Sequence, residues 1–62
     1  MPWVFVEAYE GRTLEQKRKL VKAITEAVSE CYQVAPEHVS VQLRDVSRED
    51  WASGGVLACD RK

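Results

Sequence analysis

The chain has 62 residues, with nine Lys or Arg against ten Asp or Glu and a net charge of -1. That length holds one small domain (1–62), and the near balance of charge excludes a basic surface built for nucleic acid or an anionic membrane. No apolar run approaches the ~20 residues needed to cross a bilayer.

Residues Pro2 to Glu10 predict a strand. Trp3, Phe5, Glu7 and Tyr9 fall on one side, and Val4, Val6 and Ala8 on the other. Two largely apolar faces suit a strand covered on both sides. One face takes a helix of the same chain; the face of Trp3, Phe5 and Tyr9 needs cover from a second subunit. Gly11-Arg12 supplies a turn, and Thr13 with Gln16 forms a capping box that opens a helix. To about Tyr32, apolar residues recur at helical spacing: Leu20, Ile24, Ala27 or Val28, and Cys31, with Val21 and Tyr32 widening the stripe. Lys17, Arg18, Lys22, Glu26 and Glu30 form the solvated face.

Val34-Ala35-Pro36-Glu37 breaks the helix, because proline cannot donate to its ladder. Val39 to Val46 alternates as a second strand, and strand–helix–strand in this order predicts a βαβ unit with parallel strands. Gly54-Gly55 then separates Trp51-Ala52-Ser53 from Val56-Leu57-Ala58, which predicts a short carboxy-terminal hairpin. The fold class is therefore α/β, a single β-α-β unit with a terminal hairpin.

A fold of this length buries only roughly 60% of the surface its unfolded chain exposes. Disulfides, metals or partner subunits usually make up the deficit. The two cysteines, Cys31 and Cys59, lack a metal-ligand spacing, and His38 is the single histidine. No metal or cofactor is implied. A Cys31–Cys59 disulfide is one option, but the amino terminus does not resemble a secretion signal. The expectation is a reduced, cytoplasmic chain stabilised by oligomerisation, with Cys31 in the core and His38 in an exposed loop.

No Ser–His–Asp set, Cys–His pair or carboxylate pair suggests itself, which turns attention to the amino terminus. Met1-Pro2 is a junction that methionine aminopeptidase clears, because the second side chain is small. The product is a rigid, nucleophilic secondary amine. Ordinary α-amino groups titrate at roughly 7.7 to 8.0, and apolar surroundings or a neighbouring guanidinium favour the neutral base.

Pro2, the turn Glu10-Gly11-Arg12-Thr13, Glu15-Gln16-Lys17 and the tail Trp51-Ala52-Ser53-Gly54-Gly55-Val56-Leu57-Ala58 occur together in one short chain. This combination resembles the 4-oxalocrotonate tautomerase family over essentially the whole length. The resemblance implies a tautomerase-like β-α-β subunit that dimerises, the dimers assembling as a homo-hexamer (a trimer of dimers). It also implies an amino-terminal proline acting as general base and then general acid in a 1,3-keto–enol shift on small 2-keto or 2-hydroxy-dienoate acids.

Carried across residue by residue, Pro2 takes the position of the base and Arg12 that of an arginine binding a substrate carboxylate, which a guanidinium matches bidentately. Trp51 falls where the family places an aromatic wall, and Tyr9 where the prototype has an aliphatic lining residue. Ser40 falls where the prototype has a second arginine, contributed by a neighbouring subunit. This departure removes a cation from the place where charge develops on the dienolate. Arg44, on the same strand face, and Arg48, before Trp51, are the candidate replacements. Two rival readings stand beside this one. A proline-dependent hydratase or dehalogenase of unsaturated acids would need Glu7 or Asp50 to activate water. A non-catalytic oligomeric binding protein would result if Met1 is retained.

Overall fold

The alternation in the amino-terminal segment produces strand β1, Trp3–Tyr9, and that in the later segment produces β2, Ser40–Val46. The computed structural model describes residues 1–61. The two strands pair in parallel, with Trp3 beside Ser40, Phe5 beside Gln42, Glu7 beside Arg44 and Tyr9 beside Val46. Both segments read one residue or more longer in sequence. The ladder nevertheless extends past the strand ends, since Ser40 N–H donates to the Pro2 carbonyl at 3.0 Å and Glu10 N–H to that of Val46 at 3.0 Å.

Helix α1, Leu14–Tyr32, makes the crossover between the strands. It starts where the capping box predicts: the Gln16 N–H donates to Thr13 Oγ1 at 3.1 Å, and the Thr13 N–H donates to Gln16 Oε1 at 2.9 Å. Together these satisfy two of the donors that a helix start leaves without intrahelical partners. The helix ends through Gln33, which adopts the left-handed conformation (φ 55, ψ 49) and donates its N–H to the Ser29 carbonyl. Sequence patterning gives no warning of a non-glycine residue in that region. A 3-10 turn at Pro36–His38 leads into β2 with His38 exposed, as expected.

The helix seam matches expectation at Val21, Ile24 and Val28 and departs from it elsewhere. Lys17, Val21, Ile24, Thr25, Val28 and Ser29 form the half-buried row, whereas Leu20 and Cys31 are exposed and Tyr32 is 71% exposed. Cys31 is therefore no core residue, and it and Cys59 are both free thiols. The cause is geometric. A sheet of two strands offers a narrow floor (Val4, Val6, Val41 and Leu43), and a helix laid across it covers one row of side chains. Lys17 caps that row by pairing with Asp45 on β2 at 2.7 Å.

The predicted hairpin is present as β3, Ala52–Ser53, and β4, Val56–Leu57, paired antiparallel. Its turn, Gly54-Gly55, has φ of 58 and 81, the doubly left-handed geometry that only glycine adopts without strain. A 3-10 turn at Ala58–Asp60 follows. Arg61 then reaches back to the Ser53 carbonyl at 2.6 Å.

The opposite face of the sheet is bare. Trp3 is 66% and Phe5 67% exposed, and among the described residues none is fully buried. The chain is elongated, with extents of 43 × 24 × 14 Å. Its radius of gyration is 14.9 Å, against about 11 Å for a self-contained domain of this length. Among the described residues no helix is long and apolar enough to cross a membrane.

Candidate active site

The carboxyl ends of parallel strands are where α/β folds gather ligand-binding side chains. Here β1 and β2 end side by side at Tyr9 and Val46. Gly11, with φ 112, then turns the chain sharply, so that Arg12 comes back over the strand end instead of continuing away from it. The loop after β2 brings Trp51 to the same place. That loop is braced by Asp50 N–H to the Ser47 carbonyl at 2.8 Å and Cys59 N–H to the Arg48 carbonyl at 3.1 Å. Ala58 N–H to the Trp51 carbonyl, at 2.8 Å, ties it to the hairpin.

The result is an open pocket of about 370 Å³ lined by Glu7, Ala8, Tyr9, Arg12, Val46 and Trp51. Two aromatic rings and a valine give it apolar walls, and Arg12 gives it a permanent cation. Tyr9 carries a further contact: the Arg48 guanidinium carbon lies 4.2 Å from the centre of its ring. Arg12, Tyr9 and Trp51, three of the residues singled out in sequence, thus meet in one place.

Pro2 and Ser40 do not join them. They sit together at the opposite, amino-terminal end of the sheet, linked through the Ser40 N–H and the Pro2 carbonyl. From Pro2 to Tyr9 is seven residue steps along β1, about 23 Å at ~3.3 Å per step. Within one chain, the proline nitrogen and the Arg12 pocket therefore cannot serve the same small molecule. A broad hollow on the bare side of the sheet, lined by Trp3, Phe5, Ser40 and Gln42 among others, lies at Pro2's end. Arg44 stands beside Glu7 in the strand register and does not line the Arg12 pocket, nor does Asp50. Among the described residues no group of acidic, cysteine or histidine side chains is arranged to hold a metal ion.

Comparison with known proteins identifies this architecture. The model of a family described as tautomerase enzyme matches residues 2–61. The chain belongs to the tautomerase family. It is 42% identical over 60 residues to the 2-hydroxymuconate tautomerase of Bacillus subtilis, covering 97% of each chain. It is 41% identical over 61 residues to a probable tautomerase of Halalkalibacterium halodurans, covering 98% of this chain and 100% of the other. In structure it resembles a 4-oxalocrotonate tautomerase homologue with a TM-score of 0.91 and 42% identity, covering 100% of this chain and 98% of that one. It also resembles a heterohexameric 4-oxalocrotonate tautomerase from Chloroflexus aurantiacus, with a TM-score of 0.89 and 26% identity over the whole of both chains. As a tautomerase of the 4-oxalocrotonate type, the chain is an isomerase.

Proposed function

We propose that the protein moves a proton across the 1,3-keto–enol system of small 2-keto or 2-hydroxy-dienoate acids, using Pro2 as the base after Met1 is removed. The neutral prolyl nitrogen takes the proton of the enol hydroxyl. The electron pair left on oxygen forms the ketone, the double bonds shift, and the prolinium returns the proton to carbon. Arg12 holds a carboxylate bidentately. Tyr9 and Trp51 exclude water and keep the amine neutral. No cofactor takes part.

The observation that carries this reading is the separation of Pro2 from Arg12 by the length of β1, taken with the bare face between them. A second copy laid antiparallel across that face brings the amino-terminal end of one strand to the carboxyl-terminal end of the other. Such a dimer completes two sites and covers Trp3 and Phe5 in one step. The proposed assembly is a homo-hexamer built from these dimers; the heterohexameric relative supports the number of subunits and not their identity. The proposed compartment is the cytoplasm, supported by two free thiols.

One observation favours a second chemistry: Glu7 lines the pocket beside Arg12. In a hydratase, a protonated Pro2 would act as the acid while Glu7 activated water. Following 2-hydroxymuconate and enolic phenylpyruvate by absorbance, and products by NMR, separates the two. Keto–enol isomers alone support the tautomerase, and a hydroxylated product supports the hydratase. Pro2→Ala is expected to lower kcat/KM by about 100-fold or more. Equal rates in the two proteins would sink the base assignment. Mass spectrometry of the protein from its host settles whether Met1 is removed; in a chain that keeps it, the Pro2 nitrogen is an amide and no base.

A further inference from the structure

The turn that carries Arg12 is held at both of its ends, and by neighbouring residues of one strand. On its near side, the Glu10 N–H donates to the Val46 carbonyl at 3.0 Å. On its far side, Thr13 opens α1, and its carbonyl accepts from the Lys17 N–H at 3.1 Å. The Lys17 ammonium then returns to β2, meeting the Asp45 carboxylate at 2.7 Å. Val46, Glu10, Arg12, Thr13, Lys17 and Asp45 thus belong to one closed ring of bonds with Arg12 at its apex. We propose that Lys17 and Asp45 are positioning residues, which hold the Arg12 guanidinium where it receives a substrate carboxylate without touching the substrate themselves.

Three observations carry this assignment. Gly11, at φ 112, links Glu10 to Arg12 through the residue type with the widest conformational freedom, so the Glu10 end alone leaves Arg12 free to swing. Anchoring the Thr13 end removes that freedom. Next, Lys17 occupies the half-buried row of α1 with Val21 and Ile24, where an apolar side chain would cover the sheet floor without desolvating an ammonium. What an apolar side chain lacks is direction: a charge-assisted hydrogen bond fixes the distance between the helix start and the strand end. With both partners partly exposed, the pair contributes little to stability, which leaves its geometry as its use. Last, Asp45 stands in register with Ala8, and Ala8 and Val46 line the Arg12 pocket whereas Lys17 and Asp45 do not. The clamp therefore adjoins the pocket wall and stays outside the lining.

This role rests on Arg12 as the carboxylate anchor of the proposed activity, and the test separates the two. The probes are sorbate and sorbamide, dienes of one shape with a charged or a neutral head. Their affinities for the whole protein are measured by calorimetry, and the sorbate-to-sorbamide ratio reads the guanidinium contact. Arg12→Ala is expected to lower the ratio by about tenfold, the size of one charge-assisted contact. Lys17→Met and Asp45→Asn each lower it by about threefold to tenfold, and lower it no further in the Arg12→Ala background. Arg18→Ala, which breaks the neighbouring exposed pair with Glu15, leaves the ratio as it was. The sign is what a bystander charge cannot reproduce. Through the field alone, removing a cation and removing an anion shift the affinity for a carboxylate in opposite directions, whereas either loss releases Arg12. A ratio that falls in Lys17→Met and rises in Asp45→Asn, a ratio unchanged in both, or losses that multiply with that of Arg12→Ala would overturn the proposal. An Arg12→Ala protein with an unaltered ratio removes the anchor assignment, and the role of the clamp with it.

Discussion

Two inactive chains, mixed, should recover activity by sharing their intact parts. In one chain Pro2→Ala disables the base, and in the other Arg12→Ala disables the carboxylate anchor. Pro2 and Tyr9, at the strand end where Arg12 lines the pocket, stand about 23 Å apart along β1, far beyond the length of a small dienoate acid. The proposed site therefore requires Pro2 and Arg12 to meet across a subunit boundary. Random mixing at equal amounts makes half of the dimers mixed. In each mixed dimer, one site receives an intact Pro2 and an intact Arg12 while the other receives neither, so about 25% of all sites are restored under two-fold symmetry. The assay is co-refolding of the two variants, with native mass spectrometry to count mixed species and absorbance to follow isomerisation. A rate equal to the sum of the parents, with mixed dimers present in the expected proportion, would refute the shared site.

Two further outcomes follow from the fold. Phe5→Glu places a charge on the bare face; losing about 1.5–3 kcal/mol of apolar burial per copy, twice per two-fold dimer, weakens dimerisation by at least about a hundredfold, measured by sedimentation. Gln33→Gly relieves a left-handed residue costing roughly 1–2 kcal/mol, offset by roughly 0.5–1 kcal/mol of chain entropy. The net gain, about 0.8 kcal/mol at the middle of these ranges, should raise the melting temperature by about 3–6 °C at matched protein concentration, and a fall would show that the Gln33 side chain contributes something the backbone does not reveal.

Much of the architecture was legible because its signals are local. Alternation in Trp3–Tyr9, the Thr13–Gln16 box and the Gly54-Gly55 turn each act over a few residues, and each produced the element expected. The helix seam was less legible. Leu20, Ile24 and Cys31 have sound helical spacing, but which row is covered depends on how wide a floor the sheet provides, and that is a tertiary property. The candidate site divides the same way. Arg12, Tyr9 and Trp51 meet at one strand end, as their shared motif suggested, and the distance of Pro2 from them follows from the strand already read over Pro2 to Glu10. The stacking of Arg48 on Tyr9 carried no sequence signal beyond the presence of both residues.

The hydrogen bond from Ser40 N–H to the Pro2 carbonyl has a practical consequence for anyone handling this protein. The sheet grips the chain at that carbonyl, and the ring nitrogen lies just two bonds upstream of it. Residue 1 contributes nothing to this grip, so trimming it leaves the fold undisturbed and frees an amine that is already immobilised. Conversely, if Pro2 is the base as proposed, an affinity handle fused ahead of it would leave this grip intact while blocking the amine. Purification handles belong at the carboxyl end, beyond Arg61, and a preparation that looks perfect yet does nothing should first be weighed for an extra residue.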